Sequence, residues 1–228
     1  MNERLHFYGG HAPEELAAYP LARAAHLVRV PPSTLRLWAA GDGEREALFK
    51  PAGRQPIVLS FANLIEAFVL ASMRRVHGVS MQKVRKALRY VGKKLGYSRP
   101  LIHARFRTDG VRLFVQHADR LLDVSAEGQG ILRSVLDESL ARIEWEGDFA
   151  ARLYPWVRAG ERAGQPKSIV VDPRLGFGQP VVAGTGIEAR VIASRHRAGE
   201  SVITLGRDYG IDLELVEDAI RLEAREAA

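Results

Sequence analysis

Apolar residues at Phe61, Leu64, Ile65, Phe68, Val69, Met73 and Val76 fall at steps of three and four, the period of a helix with a buried face, and the run ends at Gly78. A second stripe, Met81, Val84, Leu88 and Val91, follows Ser80, whose hydroxyl suits an N-cap. Upstream, Ala22, Ala24, Ala25, Leu27 and Val28 predict a short helix with small residues on its packing face, and Val30 plugs the turn behind it. Pro32 suits the first position of the next helix, where its missing N–H leaves no hydrogen bond unmade. From there Leu35 and Trp38 share a buried side, leaving Ser33, Thr34 and Arg36 to point outward. Between these pairs, Glu44 to Ser60 carries Lys50, Pro51, Gly53, Arg54 and Pro56, the composition of a loop or short hairpin.

Beyond Pro100 the period changes. Ile102, Ala104 and Phe106 alternate with His103, Arg105 and Arg107, Asp109-Gly110 is a two-residue hairpin signal, and Val111, Leu113 and Val115 alternate on the return. A small antiparallel β unit is predicted here, with Arg120 to Val124 as a third strand. Ile131, Leu132, Val135, Leu136 and Leu140 form a helical stripe over 131–143 that serves the core or a dimer contact. Pro155, Gly160, Gly164 and Pro166 mark a linker. Then Ile169-Val170-Val171 and Pro180-Val181-Val182 read as short strands, followed by helices near 188–198, 201–209 and 213–225. The glycines at 176, 178, 184 and 186 are turn formers, because Thr185-Gly186 lacks the lysine of a phosphate-binding loop and no βαβ unit surrounds them.

Charge sharpens this outline. Residues 1–120 hold 20 Lys/Arg against 9 Asp/Glu, and residues 121–228 hold 13 against 18, so balances of +11 and −5 underlie the net +6. No acidic residue stands between Glu66 and Asp109. A first half this basic attracts polyanions in a salt-dependent way. Residues 200–228 carry three arginines and eight acids. There is no cysteine, which rules out disulfides and thiolate metal sites. No apolar run approaches the roughly 18 residues of a membrane span, and the N-terminus has no signal-peptide pattern, so a cytoplasmic protein is expected. The seven histidines show no metal-binding spacing, no Gly-x-Ser-x-Gly elbow occurs, and Asp172 and Asp208 lack the companions of a nuclease magnesium site. The chain reads as a non-enzyme without a cofactor.

Tyr19, Ala24, Ala25, Val30, Ser33, Thr34, Leu35, Arg36 and Trp38 stand in a pattern that resembles the MerR-like helix-turn-helix, and GVSMQKVRKAL continues the likeness to about Leu95. Pro31 departs from it where members often carry a capping serine, and Leu37 where many place a tyrosine near the phosphates. No sustained heptads follow, unlike the long dimerising helix of typical members. The resemblance implies a recognition helix in the DNA major groove, with Ser33, Thr34 and Arg36 at the bases and Lys50 and Arg54 of a wing on flanking phosphates. Asp172-Pro173, Gly178 to Thr185, Gly199-Glu200-Ser201 and Val216 to Ile220 resemble the small domain, formerly of unknown function, of VapB-type bacterial antitoxins. Gly186 replaces an arginine found in many members. The last two helices have a helix-turn-helix outline, but Asp212, Glu214, Glu217 and Asp218 would repel phosphate and suit docking on a basic toxin instead.

The expected fold is α+β and mainly α, with a MerR-like DNA-binding domain over 1–98, a hairpin-plus-helix and linker region over 99–165, and a toxin-binding domain over 166–228. Together the resemblances imply a homodimeric antitoxin that binds operator double-stranded DNA, neutralises a PIN-like ribonuclease toxin and represses its own operon. A MerR-like regulator with a ligand- or protein-sensing C-terminal half is the alternative, and an RNA-binding adaptor a third reading.

Overall fold

A computed structural model describes residues 10–76, 79–122, 126–158 and 164–224. It is mainly helical, with nine α-helices among the described residues and three small antiparallel sheets. The chain divides into two compact units, residues 1–151 and 152–228.

The first unit opens with strand β1 (Tyr19–Pro20), which runs straight into helix α1 (Leu21–Val28). Arg29 takes a left-handed backbone (φ 57) and Val30 donates its N–H to the Ala25 carbonyl, so the chain reverses into α2 (Pro32–Ala40) within three residues. Packing forces that tight turn: Ala24, Ala25, Leu27, Val28, Val30, Leu35, Trp38 and Ala39 are all buried. The loop after α2 leads to strands β2 (Gly53–Arg54) and β3 (Ile57–Leu59), a hairpin whose second strand also pairs with β1, Leu59 opposite Tyr19. Helix α3 (Phe61–Met73) is buried along its whole length, and Ser60 and Asn63 cap its start reciprocally. Gly78, expected to end that helical run, lies outside the described residues. Helix α4 (Met81–Leu95) starts with the Ser80 hydroxyl accepting from the Lys83 N–H, as the sequence pattern predicts.

The hairpin expected at Asp109-Gly110 is not formed. Residues 100–102 make a short 3-10 turn, Phe106–Gly110 a π-helical stretch, and α5 spans Val111–Leu122. Ile102, Phe106, Gly110, Phe114 and Ala118 stand four apart, a helical stripe that also satisfies a period of two, and all five are buried. Leu113 and Val115, expected inside a returning strand, are only half-buried. Gly110 has a packing role, since a Cβ there would meet the Phe106 ring at 2.7 Å. Arg120 to Leu122 complete α5, and the rest of the expected third strand lies outside the described residues. Helix α6 (Ala126–Leu140) buries Leu132, Leu136 and Leu140 while Ile131 stays 49% exposed. Ile143 belongs to β4 (Ile143–Glu146), which pairs with β5 (Phe149–Leu153), the antiparallel pair this region does contain.

In the second unit β6 (Ile169–Val170) pairs antiparallel with β7 (Val181–Val182), and Val171 bridges Leu153. Helices α7 (Ala189–Arg197), α8 (Val202–Tyr209) and α9 (Leu213–Glu223) follow where the sequence places them. Ile169, Val171, Val182, Ile192, Leu205, Val216 and Ala219 form the core.

Candidate functional site

Of the residues expected at DNA, Ser33 and Arg36 are exposed on α2 and Thr34 is half-buried, while Leu35 and Trp38 anchor the other side at 0% and 3% exposure. No side chain caps the start of α2, because Pro31 stands at the N-cap, so the first-turn N–H groups have no side-chain acceptor. Helix and turn are braced from behind: the Arg75 guanidinium donates to the Arg29 carbonyl at 3.2 Å. Two arginines of α4 grip the loop after α2, Arg85 on the Glu46 carbonyl and Arg89 on the Glu46 carboxylate. Burial pulls the Arg85 pKa below its ordinary value, and Arg89 beside it acts the same way against the Glu46 charge. The acid-free stretch is therefore divided, with part of its positive charge serving as internal bracing.

Lys50 and Arg54 are exposed on the loop and hairpin. Asn63 fixes that hairpin, with its carbonyl oxygen accepting from Ala52 N–H (3.0 Å) and Ser60 N–H (3.2 Å). The Asn63 amide donates to the Lys50 carbonyl (2.9 Å) and to Glu66 (3.1 Å). Glu66 is 5% exposed and meets the Arg99 guanidinium through two bonds of 2.8 and 3.1 Å, while Arg99 also bonds Glu15 at 2.8 Å. Burial works against the Arg99 charge, but the two carboxylates more than offset it and raise its pKa. One side chain thus ties the chain on either side of the hairpin to the first turn of a buried helix. Sequence periodicity marks Asn63 as an interruption in an apolar run and gives no hint of four partners.

A cavity of about 800 Å³ opens between the hairpin, the end of α2 and α4, and Lys50, Arg54, Arg85, Arg89, Lys93 and Arg99 all reach it. Thr34 lines a smaller neighbour of about 360 Å³, with Arg85 between the two.

The four acids expected to face a toxin separate in the second unit. Asp212 and Glu214 are exposed on either side of Leu213, which is itself 46% exposed. Glu217 is half-buried and bonded to Arg221 at 2.6 Å. Asp218 is not at the surface. It is fully buried, with Arg158 (3.0 and 3.2 Å), Arg221 (2.8 Å) and the Ser168 hydroxyl on its carboxylate. Burial alone raises a carboxyl pKa, yet these donors hold Asp218 below its usual range. Asp172 is the counterpart at the strand end, buried against Arg152 and Arg174 and likewise lowered. Leu213 packs over Gly206, where a Cβ would meet its Cδ2 at 2.6 Å, and Ile203, one turn earlier on α8, is 62% exposed. Ile203 and Leu213 are thus two exposed apolar side chains that both neighbour Gly206, with Asp212 and Glu214 on either side of Leu213. Phe177, 76% exposed, sits on a left-handed backbone (φ 53) in the Gly-rich turn. Among the described residues no group of three or more His, Asp or Glu side chains could hold a metal ion, and no helix is long and apolar enough to cross a membrane.

Comparison with known proteins adds to this geometry. Residues 169–221 match the family described as "Protein of unknown function (DUF433)". Over nearly its whole length the chain is similar to a tuberculosis protein. That Mycobacterium tuberculosis protein, named "Putative antitoxin VapB45", is 29% identical over 90% of this chain and 93% of its own length. The crystal structure of Rv2018 from Mycobacterium tuberculosis superposes with a TM-score of 0.70 at 25% identity, covering 90% of this chain and 98% of that one. The similarity thus extends well beyond the C-terminal match and takes in both compact units.

Proposed function

We propose that this chain is the antitoxin of a type II toxin–antitoxin pair, a DNA-binding repressor of its own operon that silences a PIN-like ribonuclease. The observation that carries the reading is the similarity, across 90% of the chain, to the protein named "Putative antitoxin VapB45". In this reading Ser33, Thr34 and Arg36 meet base edges, and Lys50 and Arg54 meet flanking phosphates. The exposure of Arg36 above a packed Leu35–Trp38 face and the pinning of the hairpin by Asn63 support that assignment. Paired half-sites call for a homodimer.

The toxin contact is assigned to Asp212 and Glu214 with the exposed side chains of Ile203 and Leu213. A cleft that binds RNA is basic, so acids beside apolar side chains complement it. Asp218 leaves the contact set because its charge is already spent inside the domain.

The test is to express the neighbouring gene alone and together with this chain. Growth arrest relieved by co-expression is expected, and a harmless neighbour overturns the reading. Arg36→Ala is expected to abolish retardation of the promoter fragment upstream of this gene, while toxin neutralisation persists. Joint loss of both activities in a folded variant overturns the division of labour.

A further inference from the structure

The 800 Å³ cavity of the first unit has the size of a small-molecule site and an unusual lining for a structural gap. Six cationic side chains reach it, and Glu66 is the one acid on its wall. Two of the six are neutralised locally, Arg99 by Glu66 and Glu15 and Arg89 by Glu46. Lys50, Arg54 and Lys93 have no ion-pair partner among the described residues, and all three are exposed at the cavity mouth. Arg85 is only half met: one terminal nitrogen reaches the Glu46 carbonyl while its buried Nε has no acceptor. Cations gathered without counter-charge repel one another, and a polyanion at their centre relieves that repulsion. Apolar side chains also line it, among them Leu48, Phe49, Leu70, Leu88 and Leu101. A ligand that uses both kinds of lining has an apolar or flat body and carries two to three negative charges on one end.

We propose that this cavity binds a nucleoside diphosphate, with the diphosphate held by Lys50, Arg54, Arg85 and Lys93 and the base against the apolar side chains. Lys50 and Arg54 also belong to the hairpin assigned to DNA, so an occupied cavity engages the two cations that would otherwise meet phosphates of the operator.

The test is calorimetric titration of ADP and of inorganic pyrophosphate into the full chain at fixed ionic strength. ADP is expected to bind saturably, one per chain, and more tightly than pyrophosphate. Lys93→Gln, an exposed substitution that leaves the packing intact, is expected to weaken ADP by about tenfold or more, the scale of one charge-assisted contact. Lys86→Gln, exposed on the same helix but outside the cavity, is expected to leave it unchanged. Absence of saturable ADP binding, equal affinity for pyrophosphate, or equal weakening by the two lysine variants each overturns the assignment. The antitoxin reading is unaffected by those outcomes, since it is tested by co-expression without nucleotide.

Discussion

A carboxylate taken out of water costs several kcal/mol unless donors surround it, and Asp218 has Arg158, Arg221 and Ser168 around its two oxygens. Because its pKa and that of Asp172 lie below the ordinary 3.8 in the folded chain, the unfolded chain binds their protons more readily. The stability they contribute is therefore complete above that ordinary value and is lost as pH falls through the lower, folded values. Thermal melts of the full chain across pH 7 to 2 are expected to show this loss beginning below about pH 4. Asp218→Asn is expected to lower Tm at pH 7 by about 4 °C or more and to flatten the acid limb. An acid limb identical to wild type shows that Asp218 carries none of it. Nothing in the sequence separates Asp218 from Asp212 or Glu214, since all three read as acids on one short helix. What distinguishes Asp218 is burial: Arg158, sixty positions earlier, and Ser168, fifty positions earlier, bring donors to a carboxylate out of water, whereas Glu214 meets the same Arg158 at the surface.

Among the elements, the hairpin between α2 and α3 depends most on one contact set. Asn63→Ala removes the partners of Lys50 O, Ala52 N and Ser60 N together, which costs about 1–3 kcal/mol, chiefly for the buried Ser60 N–H left unmatched. Hydrogen exchange is expected to rise across residues 50–59, and retardation of the promoter fragment to weaken although Arg36 is untouched. Unchanged exchange in that segment contradicts the role given to Asn63. Gly41 is a second fixed point: a Cβ there would stand 2.3 Å from the Arg45 carbonyl, and its φ is 72. Gly41→Ala is expected to lower Tm without altering the ionic-strength dependence of DNA binding. Helices α1 to α4 and α7 to α9 were legible because a period of three and four, with Pro32, Ser80 or Ser201 at the start, admits one reading. The stretch 101–115 was not. Buried positions four apart satisfy both periods, and Asp109-Gly110 then tips the choice toward a turn that the packing of Gly110 on Phe106 overrules. The division of the basic run into braces and free cations was equally invisible, because Arg75, Arg85, Arg89 and Arg99 find their partners 33 to 84 residues away.

At the scale of the whole molecule, the opposed charge of the two halves makes ionic strength the control variable. Operator affinity is expected to fall steeply with salt, and Arg54→Gln to reduce the slope of log K against log[salt] by about one while sequence preference is kept. Arg36→Ala, which is expected to abolish retardation of the promoter fragment, is expected to leave only the weak, salt-dependent binding shown to unrelated duplex, because a base contact specifies where a phosphate contact only positions. A variant that shifts slope and preference together would mean that the α2 face and the hairpin are not separable readers. The pinned hairpin has one more consequence, in entropy. Lys50 and Ala52 are tied by one amide to the first turn of a helix buried along its whole length. The hairpin is thus ordered before it meets anything. In the proposed DNA complex its cations would therefore meet a phosphate without the backbone ordering cost that a free loop incurs on binding.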